Sequence, residues 1–422
     1  MDIEVSALGA IVALVIAIIF ILKKVPPAYG MIAGALIGGL VGGVNLVDTV
    51  TLMIAGAESI IPAVLRILAA GVLAGVLIQS GAAFTIAETI VESLGEKKAL
   101  LALALATMIL TTVGVFIDVA VITVAPIALA IGSRAGLSKT AILLAMIGGG
   151  KAGNIMSPNP NAIAAADAFN VPLTSVMAAG IIPAIFGVTV TFIIAKRLAK
   201  KGSFIELEEL QTNNSEKAPL FLSAVIAPLT AIFLLALRPL FDIVIDPMIA
   251  LPIGGIVGSL AMGRIKRIND YAIFGLRKMT GVAVMLLGTG TLAGIIANSG
   301  LEDVITNGLS AVGFPAYLLA PFSGAFMSMA TASTTAGTVV ASNVFSSTIM
   351  ELGVSGLAGA AMIHAGATVL DHLPHGSFFH ATGGSVFMGM KDRMKLMPYE
   401  SLVGLTLAVI STLIFGVFKL FI

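Results

Sequence analysis

Residues 145–161 read AMIGGGKAGNIMSPNPN, an apolar stretch that turns polar within one helical repeat. It sits inside a longer run, 140–170, that has the length of a membrane crossing. Yet its middle holds Lys151, Asn154, Ser157, Asn159 and two prolines, Pro158 and Pro160. Proline removes a backbone donor and clashes with the preceding turn, so the helix is expected to break there. Residues 361–377, AMIHAGATVLDHLPHGS, repeat the pattern inside a second long run, 357–390. In hydrocarbon an unpaired backbone group costs several kcal/mol, so unwound backbone persists only where protein or water satisfies it. Two broken spans therefore predict a polytopic membrane protein with a polar interior, the build of a secondary transporter.

Composition agrees. Charged residues make up 11% of the 422, against about a quarter in soluble domains. The formal charge of +1 signals neither nucleic acid nor an acidic partner, and with no Cys there is neither a disulfide framework nor a thiolate metal site. Asp2 and Glu4 precede the first apolar run and Lys23 and Lys24 follow it, the reverse of a signal peptide, so this run is expected to be a retained span. Runs that are continuously apolar, not alternating, exclude a transmembrane β-barrel.

Spanning helices are expected near 5–22, 27–44, 60–79, 173–195, 220–237, 247–263, 278–298 and 398–420, with the two broken spans making ten crossings. Two further runs are too long for one crossing and have polar middles. Ala99–Gly132 is interrupted at Phe116-Ile117-Asp118, and Pro315–Met350 at Thr331-Ala332-Ser333-Thr334-Thr335. Each predicts a helical hairpin. With both termini outside, nearly all of the 23 Lys and Arg fall in cytoplasmic loops, Arg277, Lys278, Lys391, Arg393 and Lys395 among them. The exceptions are Arg238 and Lys419 outside and Arg66 and Lys151 within spans.

The polar segment 200–219 is the one linker and divides the chain into 1–199 and 220–422. The halves resemble each other at an offset of about 216 to 220 residues: Ala145-Met146-Ile147, Gly150 and Pro158 recur as Ala361-Met362-Ile363, Gly366 and Pro374, and Pro27, Gly34 and Gly38 as Pro247, Gly254 and Gly258. Five crossings per half, an odd number, invert the second half relative to the first. The expected fold class is thus an all-α polytopic membrane protein, an inverted repeat of five spanning helices plus one hairpin per half. Asp118 precedes Pro158, and Thr334 precedes Pro374, by the same 40 residues, so four polar breaks are expected to converge at the centre.

The breaks free helix N-termini, whose unpaired N–H groups and positive dipole ends attract an anion. Asp118 and Asp371 are the carboxylates expected there, as coupling groups for a proton or sodium or, more plainly, as members of structural ion pairs. Lys151 either pairs with Asp118 or meets a substrate carboxylate. Asn154, Ser157 and Asn159 either cap the broken helix or line the site. Thr331, Ser333, Thr334 and Thr335 cluster at a hairpin tip as candidate ligand contacts, although such hydroxyls often satisfy only their own backbone. All four histidines fall within 364–380. His372 and His375, with Ser377, are candidate site residues and a candidate proton relay; His364 and His380 read as structural. A turn containing Pro374 does not supply the defined ligand geometry of a metal centre, so no metal or cofactor is expected. Arg66 is read as snorkelling to the outer interface.

Val115-Phe116-Ile117-Asp118-Val119-Ala120-Val121, Ser157-Pro158-Asn159-Pro160 with Ala164-Ala165-Ala166, Ala330-Thr331-Ala332-Ser333-Thr334-Thr335-Ala336, and the stretch from Ile363-His364-Ala365-Gly366 to Asp371-His372-Leu373-Pro374-His375 resemble the gluconate permease (GntP) family. The resemblance runs over nearly the whole chain. It implies proton-coupled uptake of gluconate-like sugar acids or hydroxy acids across the bacterial inner membrane. It also implies an elevator-type transporter, usually a homodimer, with a scaffold and a mobile domain bearing the hairpins. It puts Asp118 on the coupling hairpin, Ser333 and Thr334 on the hydroxyl hairpin, and Pro158 and Pro160 at the break. Where the family has a His-bearing proline break, this chain reads Ser157-Pro158-Asn159-Pro160-Asn161-Ala162 with Lys151 upstream, which keeps a carboxylate passenger but not gluconate in particular.

The alternative is a sodium/proton-type cation antiporter of related architecture, using Asp118 and Asp371 for ions alone. It needs no substrate cation, so Lys151 favours the symporter. An enzyme would need a partnered nucleophile or metal group that the His cluster lacks.

Overall fold

The structure, a computed structural model, describes residues 3–206, 218–301, 304, 315–374 and 376–420. It is built almost wholly from α-helices. The first half holds α1 (Ala7–Leu22), α2 (Pro27–Val41), α3 (Leu46–Ser59), α4 (Ile61–Gln79), α5 (Ala82–Leu94), α6 (Ala99–Thr112), α7 (Ile117–Arg134), α8 (Lys139–Asn154), α9 (Pro160–Ala168), α10 (Leu173–Ala179) and α11 (Ile181–Leu198). The second holds α12 (Phe221–Phe241), α13 (Pro247–Ala261), α14 (Ile268–Ala297), α15 (Leu319–Thr331), α16 (Thr334–Glu351), α17 (Gly356–Gly366), α18 (Ser377–Ser385) and α19 (Met390–Ser411). Most of the linker expected at 200–219 lies outside the described residues, as does His375.

Among the described residues, six stretches are long and apolar enough to cross a membrane: Ile61–Gln79, Ile117–Arg134, Leu173–Leu198, Phe221–Phe241, Ile265–Ala297 and Met390–Val417. Ala7–Leu22, Pro27–Val41 and Pro247–Ala261 are apolar but shorter. Three expected boundaries shift. The run at 173–195 is two helices joined at Gly180. The helix expected at 278–298 begins at Ile268, so Arg277 and Lys278 lie on it and not in a loop. The last helix likewise starts at Met390 and carries Lys391, Arg393 and Lys395. A charge ends a hydropathy run but does not end a helix, because long cationic side chains are good helix formers and reach outward. Arg393 is buried instead: its guanidinium donates to Glu400 through both terminal nitrogens.

The helices pack as two groups, and each group draws on both halves of the chain. In the first, α1 lies on α2, α3 and α4 on α14, and α12 and α13 beside them. Small residues permit this closeness, as membrane helices require: a Cβ on Gly275 would sit 1.8 Å from the carbonyl oxygen of Gly71. The second group surrounds α8, every residue of which is buried. Helix α8 packs on α6, α7, α11 and α19. Its Gly149 and Gly153 lie against the Ala104 and Met108 carbonyls of α6, where a Cβ would meet oxygen at 2.0 and 2.1 Å. Helices α9 and α15–α18 complete this group. The groups meet where α14 packs on α16 and α4 on α9.

An ion cluster ties the second of these meetings. Arg66 of α4 donates to Asp246, the N-cap of α13, from Nη2 at 2.8 Å and from Nε at 3.1 Å, and to Asp167 of α9 from Nη1. Arg66 thus binds two carboxylates, beyond the snorkelling role expected of it. Burial pushes the Asp246 carboxyl up, but the hydrogen bonds from Arg66 and from the Met248 N–H outweigh it and hold the group below its usual range.

Candidate functional site

All four polar interruptions form as breaks in the helices. Helix α8 stops at Asn154, and Pro160 opens α9 at the helix position that tolerates a missing N–H. Helix α17 stops at Gly366, and α18 resumes at Ser377, beyond Pro374. The first hairpin turns at Gly114, whose φ of 101° suits glycine, before α7 starts at Ile117. The second turns at Ala332, a non-glycine residue at φ 46°, and Ser333 then caps α16 by accepting from the Ala336 N–H. Gly376 of the second break lies against this tip, where a Cβ would be 2.5 Å from the Ala332 carbonyl oxygen.

The breaks meet around one cavity of about 320 Å³. Its wall takes residues 116–119 from the start of α7, Asn154 and Asn161 from the two sides of the first broken span, and residues 332–335 from the second hairpin tip. It also takes Asp371 with Ser377 and Phe378 from the second broken span, and Lys278 and Val282 from α14. Four helices, α7, α9, α16 and α18, thus place their first turns on the cavity. Each brings free backbone N–H groups and the positive end of its dipole.

Two asparagines at the wall have unfilled hydrogen-bonding capacity. The Ala162 N–H donates to Asn159 Oδ1, which fixes that amide's orientation. Asn159 Nδ2 therefore donates to Asn154 Oδ1 at 2.6 Å, and Asn154 Nδ2 has no partner among the described residues. Asn161 Oδ1 is likewise buried and has no partner among the described residues. Buried polar atoms are rarely left so in native proteins unless a ligand or water completes them. Two residues of the cavity wall thus carry a buried donor and a buried acceptor with no partner among the described residues, beside the helix N-termini.

Behind the wall lies a buried ionic network. Lys151 Nζ is 2.6 Å from Asp371 Oδ1 and 2.6 Å from the Thr368 carbonyl oxygen, and His372 Nδ1 is 3.1 Å away. The Thr334 hydroxyl donates to the other oxygen of Asp371. His372 Nδ1 also lies 2.9 Å from Asp371, while its Nε2 is 3.0 Å from both the Met397 carbonyl oxygen and Ser401 Oγ.

Of the residues the sequence singled out, Asp118, Asn154, Ser333, Thr334, Thr335, Asp371 and Ser377 reach the cavity. Lys151 does not: it is wholly buried and pairs with Asp371, not with Asp118. Asn159 caps α9; Ser157 is buried with no partner for its hydroxyl among the described residues; Thr331 bonds back to the Met327 carbonyl; His372 sits in the network behind Asp371. Sequence reasoning missed Asn161, Phe378 and Lys278. Asn161 belongs to the quoted motif and was legible as one more amide at the break. Nothing local marked Lys278.

The profile describing GntP family permeases matches residues 3–418. A Haemophilus influenzae protein described as an uncharacterized transporter is 70% identical over 415 residues, spanning 98% of this chain and 99% of its own length. An uncharacterized permease of the same organism is 27% identical over 197 residues, 46% of this chain and 40% of its own. Among solved structures the Alcanivorax borkumensis YdaH transporter, described as having an unusual topology, has a similar fold. Its TM-score is 0.65 at 18% identity, over 88% of this chain and 89% of that one.

Proposed function

Because the chain belongs to the GntP family of permeases, we propose that it carries a small organic anion, a gluconate-like sugar acid or hydroxy acid, into the cell by proton-coupled symport. The observation that carries this reading is the convergence of four helix first turns on one cavity. Each contributes about half a positive charge at its N-terminus, so together they favour a bound anion. The volume of about 320 Å³ is at the small end for ligand sites and suits a small solute. Asn154 Nδ2 and Asn161 Oδ1 fit a passenger that carries hydroxyls as well as a carboxylate.

Charge balance supports a coupled cation. At the wall Asp118 and Lys278 offset one another, and Asp371 is neutralised by Lys151 behind it. An anion entering this neutral site leaves one excess negative charge in a poorly solvated place. A proton on Asp118, which has no ion-pair partner among the described residues, removes it. The Asp371–His372 contact offers a second place for that proton. Antiport of cations alone would leave Lys278 and the four N-termini without a purpose.

The same reading takes the halves 1–199 and 220–422 as inverted repeats joined by a linker at 200–219. The group around α8 moves against the group around α14, as an elevator, in a homodimer in the bacterial inner membrane with both termini outside. Its support is the pairing of one hairpin with one broken span in each half.

The test is uptake by purified protein in proteoliposomes across sugar acids, hydroxy acids and dicarboxylates, with imposed proton or sodium gradients. Saturable, proton-driven accumulation of at least one is expected, and Asp118→Asn should retain counterflow exchange while losing accumulation. Sodium-driven proton movement with uptake of no anion would refute the proposal.

A further inference from the structure

We propose that Lys278 is the residue that selects for the carboxylate of the passenger, an assignment that rests on the anion reading above. Lys278 is the one cation among the described residues lining the cavity, and its side chain is exposed. It forms no ion pair among the described residues, and its ammonium is 5.7 Å from the centre of the Phe274 ring. Lys151, the other cation nearby, is enclosed by Asp371, His372 and the Thr368 carbonyl and has no face on the cavity. A flexible ammonium with spare donors is free to close on a carboxylate in a way that a fully bonded one is not.

The placement adds a second consequence. The helix N-termini, Asn154 and Asn161 belong to the group around α8, whereas Lys278 stands on α14 of the other group. A passenger held by both bridges the boundary between them. Its carboxylate engages Lys278 while its hydroxyls engage the asparagine wall. The ammonium therefore tests the charge of the passenger at the position where the two groups meet.

The experiment uses the full chain in proteoliposomes with D-gluconate, D-glycerate and L-lactate, each beside its primary amide, which keeps the shape and loses the charge. Lys278→Gln should raise KM for a transported acid about ten- to a hundredfold, the range for losing a charged hydrogen bond. It should also shrink the preference for acid over amide to within about threefold, by the same arithmetic. Lys278→Arg should keep most of that preference. Because Lys278 is exposed, both variants should unfold at the temperature of the unaltered protein, and a transported acid should raise that temperature in the unaltered protein but not in Lys278→Gln. A Lys278→Gln protein with unchanged KM and unchanged preference overturns the assignment alone, as does equal loss in Gln and Arg variants that fold normally. Uptake of no anion by the unaltered protein across the wider panel, with sodium-driven proton movement, overturns the anion reading, and this inference with it.

Discussion

Replacing Lys151 by Met removes the charge from a fully buried ion pair while keeping the side chain's bulk. In the folded protein the side chains of Lys151 and Asp371 are 0% and 2% exposed, with Nζ 2.6 Å from Oδ1. After the substitution Asp371 keeps the Thr334 hydroxyl and His372 but has no cation, and the Thr368 carbonyl loses its donor. Stranding one partner of a buried pair costs about 3–5 kcal/mol. The lost carbonyl bond is part of the same event and is not added. For a chain of this length, that loss lowers the unfolding temperature by roughly 3–6 °C. The chain has no Trp and no Cys, so neither indole fluorescence nor a thiol-reactive dye reports unfolding. Circular dichroism of the helices in nanodiscs, at one heating rate for every variant, is the suitable assay. Lys151→Met combined with Asp371→Asn removes both charges and should recover most of the loss. A single variant that melts within about 1 °C of the unaltered protein, on that same roughly 3–6 °C scale, would refute the pairing as a structural element. So would a double variant no better than the single.

Two further outcomes follow from the geometry. The Asp246 carboxyl is held low by Arg66, so its folded pKa lies below its unfolded one. Stability from this contact is then present above the unfolded value, near 4, and is lost as pH falls through the folded one. Thermal stability should therefore drop on acidification below about pH 4, and Arg66→Gln should lower it at neutral pH while flattening that drop; parallel pH curves would contradict this. Asn161→Ala removes an acceptor already without a protein partner, so stability should hold while KM for a polyhydroxy acid rises about fivefold to tenfold, the scale of one hydrogen bond. KM for an acid lacking hydroxyls should stay put, and equal rises for both would assign Asn161 a packing role.

The breaks and hairpins were legible because each is a local contradiction: polar or proline residues inside a run that must otherwise satisfy hydrocarbon. Their convergence followed from equal spacing in the two halves. What the sequence withheld depends on partners far along the chain. Lys151 sits in the motif and Lys278 at the edge of a span, so proximity in sequence favoured the wrong cation at the cavity; only the fold shows Asp371 enclosing the first and α14 presenting the second. Helices α3 and α5 went unseen because both are amphipathic and shorter than a crossing, and hydropathy marks neither. Arg393 read as a loop charge because Glu400, which neutralises it, is itself hidden inside the same helix.

That each packing group takes helices from both halves has a consequence for how the protein is made. When α1–α11 have left the ribosome, α4 presents Gly71 to lipid, since the Gly275 that will press against it has not been synthesised. Helix α8 at that stage carries an uncompensated ammonium into the bilayer, because Asp371 comes 220 residues later. The first half therefore meets several of its packing partners only after the second has been made, and the last of them is α19, which packs on α8 and α11.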